Sequence, residues 1–240
     1  NVAYATSLFW DGRARSLEEQ MLVPLTSTDE MGADVDTMIA QLQAIPQYQQ
    51  LFAESFADGV TIANVSTAIA SFERMLISNN SPFDKFAAGD FNALTPAQRR
   101  GFNVFRSAQT RCFECHSWPT FSNHTFNVLG VPDTNPNNPD LGQVEVVNGP
   151  DSTRAFRTPG LRNVALTAPY MHNGVFNTLE EVVDFYAKGG GPAFGVEVAP
   201  DEFLQGFTLT FQQTSDLIGF LYALTDEPAD LISIPASVPS

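Results

Sequence analysis

Residues 112–116 read Cys112-Phe113-Glu114-Cys115-His116, the spacing C-x-x-C-H. Two thiols one helical turn apart can each add to a vinyl group of a haem, and the adjacent histidine then offers an imidazole nitrogen to the iron. A disulfide, half of a zinc site or a redox dithiol would use the same cysteines. Zinc needs four ligands, and the chain holds no other cysteine and only His124 and His172 besides. A redox dithiol expects a βαβ setting, which the sequence does not show. The reading is therefore covalent haem on Cys112 and Cys115 with His116 as iron ligand, leaving no cysteine for a disulfide.

Outward from this motif the pattern is mainly helical. Upstream, Thr95-Pro96-Ala97-Gln98 is a start signal with proline at the first helical position, and Phe102 and Phe105 share one face of the helix it opens. Downstream, residues 130–160 hold five prolines among many Asn and Gly, which predicts a long irregular loop, with a strand signal only over Gln143–Val147. Thr178-Leu179-Glu180-Glu181 caps a helix that carries Tyr186 and stops at Gly189-Gly190-Gly191, and Thr210 to Leu224 reads as a long last helix. Towards the start of the chain, Ser16-Leu17-Glu18-Glu19 opens a short helix that Pro24 is expected to end. Met38–Ala44 and Tyr48–Phe56 read as helices, and Val65, Ala68, Ile69, Phe72, Met75 and Leu76 repeat at helical spacing. Asn79-Asn80-Ser81-Pro82 reads as a break, and the tail after Pro228 as extended. For the iron's sixth position the residues alone leave His124, His172, Met171 and Tyr186 open, although each type more often serves simply in packing.

Composition bounds the function. Of 240 residues, 43% are hydrophobic and 16% charged, so the chain can bury a core. A formal net charge of -15 opposes binding to nucleic acid or an anionic membrane, and suits a basic partner or plain solubility. No run of the ~20 apolar residues needed to cross a bilayer occurs. Asn1-Val2-Ala3-Tyr4 lacks the basic start of a signal peptide and there is no initiating Met, so the expectation is a mature or trimmed chain.

Several runs resemble the bacterial di-haem cytochrome c peroxidase and MauG family. They are Phe9-Trp10-Asp11-Gly12-Arg13-Ala14, Ser16 to Gln20, Asp29-Glu30-Met31-Gly32, Cys112 to His116 with Pro119-Thr120-Phe121-Ser122, and Phe156 to Val164 continuing through Thr167 to Gly174. They occur in the family's order over nearly the whole chain. The family carries two C-x-x-C-H motifs and this sequence carries one, at the second position. The resemblance thus implies haem c on Cys112 and Cys115, and a second, peroxide-reacting haem on a segment that is separate, cleaved or lost.

What the resemblance implies for residues is specific. Glu30 matches the active-site glutamate that can move a proton between the two oxygens of hydrogen peroxide, Gln20 the glutamine near it, and Trp10 the tryptophan between the haems. Thr167 and Pro169 match positions whose backbone carbonyls bind calcium. Tyr186 matches the axial position filled by Met in classical peroxidases and by Tyr in MauG-type proteins. The fold expected is mostly α: a cytochrome c-like helical haem domain over 91–240, preceded over 1–90 by helices completing a second cytochrome c-like lobe, with long irregular loops. The implied function is electron transfer through this haem in support of peroxide reduction or of peroxide-dependent oxidation, the alternative being a mono-haem electron carrier. Implied partners are a small cytochrome c or cupredoxin donor, or a protein substrate, an N-terminal haem fragment, and a second copy in a homodimer. C-type haem is assembled outside the bacterial cytoplasm, so the expected location is periplasmic or extracellular.

Overall fold

The computed structural model describes residues 1–147, 149, 152–227, 237 and 239. Two compact units emerge: Asn1–Phe9 with Ala14–Ile77, and Trp10–Arg13 with the described chain from Ser78 to Glu227. The division falls at Ile77/Ser78, ahead of the expected 90/91, because Phe83 of the intervening segment is buried in the second unit's core.

In the first unit, α1 (Leu17–Thr26), α2 (Val35–Ala44), α3 (Pro46–Ser55) and α4 (Ile62–Met75) follow one another. The Ser16, Asp34 and Thr61 side chains each accept the backbone N–H three residues on, satisfying a donor that the helix itself cannot. Pro24 does not end α1 as expected. It lies in the last turn, where it removes one backbone bond, and Leu25 beyond it is buried with Met21, Val60 and Val65. Pro46 likewise opens α3 instead of merely stopping α2.

The second unit holds α5 (Pro82–Ala87), α6 (Pro96–Phe105), α7 (Cys112–Cys115), β1 (Phe126–Val128), α8 (Val144–Val147), β2 (Ala155–Arg157), α9 (Leu179–Ala187) and α10 (Phe211–Tyr222). The expected break at Asn79-Asn80-Ser81-Pro82 is present, since α4 stops at Met75, and its last two residues also open the next helix, where Ser81 and Asp84 form a reciprocal capping box. One expectation is corrected here. Gln143–Val147 is not a strand: Val144–Val147 makes one helical turn, and the loop's strand is Ala155–Arg157, antiparallel to Phe126–Val128. The tail after Pro228 lies outside the described residues, save 237 and 239.

The core of this unit is a set of phenylalanines from four segments. Phe83, Phe105, Phe121 and Phe220 are buried, with ring centroids 5.1 Å (Phe83–Phe121), 5.2 Å (Phe105–Phe220) and 5.6 Å (Phe83–Phe220) apart, at steep angles. Helices α6 and α10 cross at Gly101, where a Cβ would stand 1.9 Å from the Asp216 carbonyl oxygen. Beside the crossing, Arg100 donates from Nε and Nη2 to the Asp216 carboxylate at 2.7 and 2.9 Å. Across the core, Arg162 donates to both Asp84 oxygens at 2.7 and 2.8 Å and to the Pro119 carbonyl. Burial works to raise the Asp84 carboxyl, but the Arg162 and Ser81 donors outweigh it and hold it below the ordinary range.

Candidate haem site

The short helix α7 presents both cysteines to one cavity of about 340 Å³, and both are free thiols. Burial raises both thiols above the ordinary value. Cys115, also near Asp201 and Glu114, is pushed up to about 11. The chain then turns sharply back. Phe121 takes a left-handed backbone (φ 55°), unfavourable for a bulky residue, and its ring is fully buried in the aromatic core. This turn aims the Phe121 carbonyl at His116, whose Nδ1 lies 2.9 Å away. As a neutral imidazole His116 donates from Nδ1, which leaves the Nε2 lone pair for a metal. Burial also lowers the His116 pKa, favouring that neutral form.

The remaining walls come from several segments. Phe105, Leu129, Val131, Leu161, Val183 and Leu221 supply apolar surface. Tyr186 lines the cavity from the last turn of α9, where burial raises its phenol pKa. Met171 and His172 line it from the turn that follows Pro169, and Thr167, Pro169 and Trp10 also reach it. The donor set suits haem c: two thiols one turn apart for thioether links, one imidazole nitrogen with its partner fixed, and a large apolar pocket.

Nine of the residues singled out in the sequence therefore share one cavity: Trp10, Cys112, Cys115, His116, Thr167, Pro169, Met171, His172 and Tyr186. Gln20, on α1, and Glu30, exposed in the loop after it, belong to the first unit. His124 drops out as a ligand. It does not line the cavity, and its ring sits beside the Ser122 and Thr120 hydroxyls. Among the described residues, no hydrogen bond ends on the Thr167 or Pro169 carbonyl. The sequence reading missed Arg157. Its backbone N–H donates to the Trp10 carbonyl at 2.8 Å and its side chain lines the cavity. An arginine inside an apolar-flanked Phe-Arg-Thr-Pro run was the available signal.

Known proteins place this arrangement. A sequence profile described as di-haem cytochrome c peroxidase matches residues 1–92. The methylamine utilization protein MauG of Methylorubrum extorquens is 37% identical over 98% of this chain and 65% of its own length. A cytochrome-c peroxidase of a Pseudomonas species is 36% identical over 94% of this chain and 66% of its own length. The crystal structure of a MauG-like protein associated with microbial copper homeostasis superposes with TM-score 0.84 and 31% identity, over 95% of this chain and 75% of that one. The chain belongs to the di-haem cytochrome c peroxidase and MauG family. It spans about two thirds of the length of the curated family members it matches. The family's cofactor is haem c, which the Cys112, Cys115 and His116 wall fits. No helix among the described residues is long and apolar enough to cross a membrane.

Proposed function

We propose that this chain binds one covalent haem c through Cys112, Cys115 and His116, with Tyr186 as the second axial ligand, and serves a peroxide-dependent oxidoreductase of the MauG type. One observation carries the reading: Tyr186 lines the same cavity as the two thiols and the imidazole, in a chain related to MauG over 98% of its length. Bound haem supplies one-electron redox chemistry. The chain's own residues do the rest. Phe121 orients His116, the apolar wall excludes water, and a phenol oxygen at the sixth position favours the oxidised metal where a thioether would favour the reduced one. Met171 lines the cavity too, so the choice between phenol and thioether also decides between storage of oxidising equivalents and plain relay.

In this reading Glu30, with Gln20 beside it in sequence order, manages the peroxide proton, and Trp10 passes electrons or oxidising equivalents. The Thr167 and Pro169 carbonyls, free of described hydrogen-bond donors, are offered to calcium, a cation that prefers such oxygens. The electron donor is a small basic cytochrome or cupredoxin, or the oxidised partner is a protein, and the location is periplasmic. Denaturing electrophoresis with a haem stain tests the core of this reading. The band stains for the native chain and not for a Cys112→Ala/Cys115→Ala variant; extraction of the haem into acidified organic solvent would refute covalent attachment.

A further inference from the structure

Four buried side-chain atoms among the described residues have no hydrogen-bond partner: Ser7 Oγ, Glu73 Oε2, His172 Nε2 and Thr225 Oγ1. Of these residues only His172 lines the haem cavity. A buried polar atom left unpaired costs about 1–3 kcal/mol, so its placement needs a reason. The ring cannot readily turn away. It stacks on Phe156 at 3.6 Å with an interplanar angle of 11°. The chain on both sides is pinned as well. Tyr170 N–H donates to the Phe176 carbonyl at 2.7 Å, and the Asn173 side chain donates to the Pro132 carbonyl at 2.8 Å.

The nearby carboxylate groups do not supply the missing partner. Asp133 is held by both terminal nitrogens of Arg154, at 3.2 and 2.7 Å, and Asp140 accepts from the Gly142 N–H. The partner must therefore come from what fills the cavity. A haem held by Cys112, Cys115 and His116 has its vinyl groups and one face of its iron engaged, and Tyr186 is proposed for the other face. Its remaining hydrogen-bonding groups are two propionate carboxylates. Arg157 brings a cation to the same wall, as a carboxylate requires.

We propose that His172, as the Nε2–H tautomer, would donate a hydrogen bond to a propionate of the haem held in this cavity. The role is one of positioning and rests on the haem reading above. A hydrogen bond that draws charge from the propionate disfavours ferric iron relative to ferrous, so its loss lowers the midpoint potential. Resonance Raman spectra and redox titrations of the haem-loaded protein test this. In the unaltered protein, exchange into D2O shifts the propionate bending band. His172→Phe removes that isotope shift and lowers the potential while the axial-ligand bands stay in place, and His172→Gln, which keeps an N–H donor, restores both. A propionate band insensitive to D2O in the unaltered protein overturns the proposal without any variant. So does a His172→Phe spectrum in which the axial ligation changes, since the ring would then be on the iron. Failure of the haem stain is a different result, and it removes the haem reading itself.

Discussion

Tyr186 and Met171 line the same cavity, but only one can hold the iron. Tyr186→Phe is expected to change the ferric visible spectrum and let small anions bind the iron, whereas Met171→Leu leaves both unchanged. The reverse result would favour plain electron relay. Phe121 carries two tasks: its carbonyl orients His116 and its ring fills the aromatic core. Phe121→Ala should lower unfolding stability by about 3–5 kcal/mol in a denaturant titration. A change below 1 kcal/mol would mean that the cluster collapses around the gap. If Glu30 manages the peroxide proton as proposed, Glu30→Gln should slow peroxide turnover by roughly 10²–10⁴-fold, the usual worth of a positioned proton carrier. At this scale the C-x-x-C-H spacing pointed to two thiols and an imidazole that the fold brings to one cavity, because covalent chemistry would fix residue type and distance along the chain. The left-handed Phe121 and the orphaned His172 nitrogen stayed hidden. Each depends on contacts with residues distant in sequence, Phe83 for the one and Phe156 for the other.

The α6–α10 crossing depends on Gly101, where the Asp216 backbone leaves no room for a methyl group. Gly101→Ala should force the helices apart and cost about 1–3 kcal/mol or more in stability. An unchanged denaturation midpoint would show that α6 can slide. The α5 cap offers a pH test. Asp84, held below its ordinary value of 3.8 by Arg162 and Ser81, binds protons less readily folded than unfolded. Its contribution is thus complete above that value and is lost as the pH falls below it. Thermal midpoints should drop on acidification in this window, and Asp84→Asn should be less stable at neutral pH and flatter below pH 4. Helix starts at Thr95, Thr178 and Thr210 were legible because a capping side chain acts on donors two or three residues away. Pro46 and Ser81-Pro82 were legible as breaks, with α2 ending at Ala44 and α4 at Met75, but their second role of opening α3 and α5 was not, since proline both breaks a helix and opens one. Gln143–Val147 misled, because β-branched residues mark a strand only where a partner strand is within reach.

With 27 acidic and 12 basic side chains, the molecule's field favours a cationic donor. Stopped-flow reduction by a basic cytochrome should slow roughly tenfold or more as salt rises from low to several hundred millimolar, because screening shortens the field's reach to a few ångströms. A rate independent of salt would assign the charge to solubility alone. The two-unit division was only partly legible, because the boundary depends on which core takes Phe83, a tertiary fact with no local mark. The cavity itself has a consequence for the life of the chain. Left unfilled, an apolar pocket of about 340 Å³ costs at most on the order of 8 kcal/mol at about 24 cal/mol per Å³, comparable to the whole margin of an ordinary domain. This is an upper bound for a pocket open on one side. Chains that miss their cofactor would therefore unfold more readily and be cut sooner by proteases than chains that have received it.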